Sequence, residues 1–80
     1  MIDPAIQDLA IKELTPGQLA VWDCYYRFGI TSFRAIAVKL DLPRTTVTDR
    51  YDAACRRLRQ RHGVRFTPDG RPYLEEHTPA

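Results

Sequence analysis

Residues 32–58, SFRAIAVKLDLPRTTVTDRYDAACRRL, limit what this chain can fold into more than any other stretch. Two runs of helical apolar spacing stand almost end to end in it. In the first, Phe33, Ile36, Ala37 and Leu40 fall at i, i+3, i+4 and i+7, one face of an α-helix. In the second, Val47, Tyr51, Ala54, Cys55 and Leu58 fall at i, i+4, i+7, i+8 and i+11. Only Asp41, Leu42 and Pro43 separate them. Proline disfavours the helical state of the residue before it, so the first helix must stop ahead of Pro43. Asp41 falls in the break, and Asp tolerates the left-handed conformation better than most residues. The spacing predicts a helix capped by Thr31 or Ser32. A second runs from near Pro43 to about His62 and ends at Gly63. Helices joined so tightly must cross closely, and Ala37 is the small residue placed at the crossing. Ile36, Leu40, Leu42 and Val47 pin the pair.

Two further helices precede them. In DPAIQDLAIKEL, Asp3 is the N-cap and Pro4 the first helical residue, and Ile6, Leu9 and Ala10 recur at helical spacing. In LTPGQLAVWDCYYRFG, Thr15 caps, Pro16 follows and Gln18 completes a capping box. Leu19, Trp22 and Tyr26 form a stripe that Val21, Tyr25 and Phe28 widen, as expected of a helix buried on more than one side and ended by Gly29. Downstream, TPDG suits a tight turn between two very short strands, Val64–Thr67 and Arg71–Leu74. Pro72 limits the second strand to an edge. An ordered irregular tail is the alternative, and EEHTPA reads as frayed. The expected fold is all-α: one domain over residues 1–80, a bundle of about four helices, with or without the short hairpin.

The 80 residues suit a single small domain. No apolar run approaches a membrane span. The N-terminus has no basic region leading into an apolar one, so residence in the cytoplasm is expected. Cys24 and Cys55 lie far apart among apolar helical positions and read as buried thiols. Neither a metal-ligand spacing nor a nucleophile-and-base arrangement is present, so no metal, cofactor, small-molecule substrate or enzymatic activity is expected. Charge is segregated. Residues 34–71 carry ten basic against four acidic side chains. Residues 1–33 carry two against four. A basic region in a small domain points to a polyanion, most often nucleic acid. A solvated, solubilising face is the plainer alternative.

A helix, a short turn and a second helix make a helix-turn-helix. The first helix braces the second, whose exposed face can enter the major groove. The second helix opens with PRTTVTDR. Arginine pairs with guanine, threonine meets the thymine methyl, and aspartate accepts from cytosine.

The stretch 14–60 resembles the C-terminal, promoter-reading domain of bacterial sigma factors and the related DNA-binding domain of LuxR-type regulators. LTPGQLAVWDCYYRFGI is similar to that family's first helix, SFRAIAVKLDL to its bracing helix, and PRTTVTDRYDAACRRLR to its recognition helix. The resemblance implies base reading by Arg44, Thr45, Thr48 and Asp49, with Arg50 within reach of DNA. It implies phosphate contacts from Ser32, Arg34, Thr46, Arg56 and Arg57. The chain departs from the family at Arg34 or Ala35, where Glu is frequent. At Asp41, Gly is common in such turns. Arg50 replaces an apolar residue, leaving Tyr51 to pack and two registers of the recognition helix open.

The implied function is that of a free-standing, sequence-specific transcriptional regulator of double-stranded DNA. Such modules are expected among small regulators of phages and other mobile elements. A homodimer on a palindrome would supply the affinity that one module lacks. The rival is a protein-interaction module of the same fold that docks on RNA polymerase or another regulator and never touches DNA.

Overall fold

The computed structural model describes residues 3–74, so the expectation for 75–80 lies outside them. It is mostly helical, with four helices and a two-stranded sheet. Helix α1 (Pro4–Glu13) starts where Asp3 accepts from the Ala5 amide at 2.9 Å. Helix α2 (Pro16–Trp22) carries the reciprocal cap. There the Gln18 amide donates to Thr15 Oγ1 at 3.3 Å, and the Thr15 amide donates to Gln18 Oε1 at 3.2 Å. These bonds occupy amides that a helix start leaves without partners.

The second helix was expected to run unbroken to Phe28. Instead α2 opens into a π-turn over Asp23–Arg27, closed by the Phe28 amide on the Asp23 carbonyl at 2.9 Å. A π-turn bonds i to i+5 and so holds more residues than an α-turn. That carries Phe28 off the Val21–Tyr25 line, and it stands 60% exposed where core packing was expected. Gly29, at φ 72°, then reverses the chain.

Helix α3 (Phe33–Leu40) is capped by Ser32, whose Oγ accepts from the Ala35 amide at 3.3 Å. Its end is the decisive turn. Asp41 sits at φ 54°, the only non-glycine among the described residues with positive φ. The Leu42 amide donates to the Ala37 carbonyl at 2.9 Å and the Asp41 amide to the Val38 carbonyl at 3.2 Å. This is the Schellman pattern, in which the left-handed position usually belongs to glycine. Asp41→Gly is therefore expected to stabilise the domain by ~0.5–1 kcal/mol, read as a raised urea midpoint. A lowered midpoint would mean that the Asp41 side chain contributes more than its backbone strain costs.

Helix α4 (Arg44–His62) is the long element. Gly63, at φ 66°, ends it and starts a hairpin of β1 (Val64–Phe66) and β2 (Pro72–Leu74). The strands are antiparallel, with Val64, Arg65 and Phe66 opposite Leu74, Tyr73 and Pro72. The Gly70 amide closes the turn onto the Thr67 carbonyl at 2.8 Å. A two-stranded ribbon has only edges, so Pro72 removes no ladder bond that a further strand would need.

The helices share two apolar clusters. Ile6, Trp22, Leu58 and Val64 centre one; Val21, Ile36 and Val47 centre the other; Tyr51 packs against both. The small Ala37 is buried between α3 and α4 as the crossing required. Trp22 is fully buried, and its indole N–H donates to Gln7 Oε1 at 3.2 Å. The same amide donates through Nε2 to Asp23 at 2.8 Å, so Gln7 ties α1 to the π-turn. No helix of the described residues is long and apolar enough to cross a membrane.

Two tyrosines lock the hairpin down. Tyr26 Oη donates to the Gly70 carbonyl at 2.8 Å, which commits its proton. The Tyr51 hydroxyl, 2.6 Å away, must then donate to Tyr26. Burial raises both phenols above their ordinary value of 10.0; donating the shared bond adds to the rise of Tyr51, and accepting it opposes the rise of Tyr26. Burial likewise pushes the Cys55 thiol up to about 11 from 9.0. All three groups stay neutral longer in the folded state than in the unfolded one. Their contribution is complete below the unfolded pKa and is lost as pH rises above it. The thermal midpoint is expected to hold to about pH 9, fall gently above it, and fall steeply above 10. A Tyr26→Phe/Tyr51→Phe double variant should lose the steep part. An unchanged profile would remove the phenols as its cause.

Candidate nucleic-acid interface

The three-residue link from α3 to α4 positions the candidate surface. Pro43 is the N-cap of α4 and brings no side-chain hydrogen bond, so the first turn of that helix is Arg44, Thr45 and Thr46 facing outward or half outward. Arg44, Thr45 and Asp49 are exposed; Thr46, Thr48 and Arg50 are half-buried. Thr48 Oγ1 donates to the Arg44 carbonyl at 3.0 Å. Its hydroxyl proton is thus spent inside the helix, and what it retains for a partner is an acceptor and a methyl group.

Arg34, in the first turn of α3, and Arg44, at the head of α4, come to the same place. Together with Ala37, Val38, Asp41, Leu42 and Pro43 they line an open groove across the turn. Sequence spacing put these two arginines on different helices, and only the fold makes them neighbours. Ser32 and Arg34 are both exposed at the start of α3. The Ser32 hydroxyl is engaged as a cap, which leaves its outer side open.

Two of the expected positions are directed elsewhere. The Arg50 guanidinium lies against the backbone of Gly17, so close that a Cβ there would stand 3.1 Å from its carbon. A side chain at 17 would oblige the guanidinium to shift by a few tenths of an ångström. Tyr51 packs against both apolar clusters, and Arg50 flanks α2. Arg57 turns to α1, its Nε 3.7 Å from Glu13. Arg61 and His62 approach the same carboxylate at 4.0 and 3.0 Å. His62 foremost, then the charges of Arg61 and Arg57, hold Glu13 below its ordinary value while partial desolvation opposes them. Arg56 is exposed instead, and no ion pair joins it to Asp52 or Asp49 among the described residues.

The exposed side of α4 therefore carries Arg44, Thr45, Asp49, Asp52, Arg56 and Arg59. Cys24 and Cys55 are free and buried. No group of His, Cys, Asp or Glu suited to a metal ion occurs among the described residues. Sequence reading missed Gly17, Glu13 and Gln7. Glycine at the second position of a helix was the available signal for a close neighbour; the other two had none, because their partners lie on distant elements. Comparison with family models, curated proteins and solved structures finds no match.

Proposed function

We propose that the protein is a DNA-binding regulator that lays the head of α4 in the major groove. The observation that carries this reading is the turn at Asp41. It delivers exposed Arg44, Thr45 and Asp49 at the start of a long helix, and Arg34 of the bracing helix lines the same groove as Arg44. Arg44, Thr45, Thr48 and Asp49 take the base-reading roles, with Thr48 as acceptor and methyl contact. Ser32, Arg34 and Arg56 take phosphate. Thr46 stays half-buried at the edge of this set. Arg50 and Arg57 support the helix from behind, against Gly17 and Glu13. Two copies on a two-fold site would supply the affinity that one short module lacks.

The test is fluorescence anisotropy on random-sequence duplex, titrated at several salt concentrations. Binding that weakens steeply with salt supports the reading. Absence of binding at low salt rejects it and favours the second reading, a protein-docking module. That alternative has its own observation: Val38, in the groove between Arg34 and Arg44, is 78% exposed.

A further inference from the structure

Helix α4 is longer than a groove reader needs. The major groove is about 12 Å wide. Arg59 follows Arg44 by fifteen positions, or ~22 Å along the axis at about 1.5 Å per residue. If the first turns of α4 occupy the groove, its second half lies over the backbone that flanks it. There the hairpin folds back alongside α4. The two elements enclose an open cleft of about 460 Å³, whose lining includes Asp52 and Arg59 of α4 and Arg65, Phe66 and Tyr73 of the hairpin.

We infer that this cleft is a second DNA contact, holding the sugar–phosphate backbone of the same duplex beside the bases read by the head of α4. The inference rests on the DNA-binding reading above. Three features of the cleft suit it to that occupant. Arg65 and Tyr73 are paired in register across the two strands, so they stand on one face of the ribbon, and both are exposed. A guanidinium and a phenolic hydroxyl are both phosphate donors. Arg59 and Arg65 also line the adjoining cleft beside His62 and Gly63, which makes this end of the surface the more positive. Asp52 and Arg59 both belong to the exposed side of α4, so the cleft continues that face. Its carboxylate repels phosphate and confines the strand to the arginine end. A protein ligand has less to hold. Among the described residues the exposed large apolar side chains, Ile11, Phe28, Val38 and Tyr73, stand on four different segments.

The experiment compares the full chain with Arg59→Gln, Arg59→Lys and Tyr73→Ala on a 30-base-pair random duplex, by anisotropy against salt. Lys12→Gln, an equal charge change on the exposed side of α1, is the control. Thermal midpoints confirm that each variant folds. R59Q is expected to bind about three- to tenfold more weakly at low salt and to lose ~0.9 from the salt slope. R59K should keep the slope. Y73A should weaken binding with the slope intact, because a neutral contact releases no counterion. Wild-type binding with R59Q and Y73A indistinguishable from K12Q overturns the cleft contact alone. No binding by the wild-type chain overturns it together with the reading on which it rests.

Discussion

Replacing Trp22 with alanine is expected to remove a large share of the domain's stability and to shift its urea midpoint far down. Trp22 is fully buried where α1, α2, α4 and the hairpin meet. Its ring lies 4.4 Å from that of Tyr26 and 6.4 Å from that of Phe66. Deleting a buried aromatic costs ~3–5 kcal/mol, because the lost contacts and the residual cavity both count. A domain of this size has only ~4–12 kcal/mol in total. The loss also removes the donor that satisfies Gln7, whose amide ties α1 to the π-turn. Urea unfolding followed by circular dichroism measures the effect. Trp22→Phe separates its parts, since it keeps much of the ring volume and loses the N–H. A loss below ~1 kcal/mol in the alanine variant would mean that the core closes without Trp22.

Arg44→Ala should have the largest effect on DNA binding of any exposed position, at ~1–3 kcal/mol on a selected site. The expected signature is a relaxed preference at one base position, with binding to random duplex reduced far less. The structural reason is placement. Arg44 is the first residue of α4, it is exposed, and it shares a groove with Arg34. Arg56→Ala should instead weaken binding on all sequences and lower the salt slope by ~1. Arg57→Ala should alter neither preference nor slope, and should lower stability through its contact with Glu13. Selection from a random pool, repeated with each variant, measures all three. An Arg44→Ala variant with unchanged preference would move Arg44 out of the base-reading set.

Much of this architecture is local and was therefore legible. Asp3, Thr15 and Ser32 cap the helices they precede because each needs only the amide two or three residues ahead. Gly63 ends α4 and Gly70 closes the hairpin turn by their own backbone freedom. The apolar set of α4, from Val47 to Leu58, follows from helical spacing alone. The π-turn was not legible, because i→i+5 bonding has no distinct residue pattern and a regular helix predicts the same stripe through Tyr26.

The candidate site divides along the same line. From the order of its residues alone, the chain determines a left-handed break at Asp41, a helix opening with Arg44, and the helix–turn–helix order around them. Tertiary structure alone decided which arginines remain outward. Arg50 is held against Gly17 and Arg57 turns to Glu13, which the still-exposed Arg61 also approaches, while Arg34 and Arg44 line one groove. The reason is range. A cap or a turn is settled by bonds within a few residues, whereas an arginine's direction depends on which distant carboxylate or glycine the packing of the other helices brings to it.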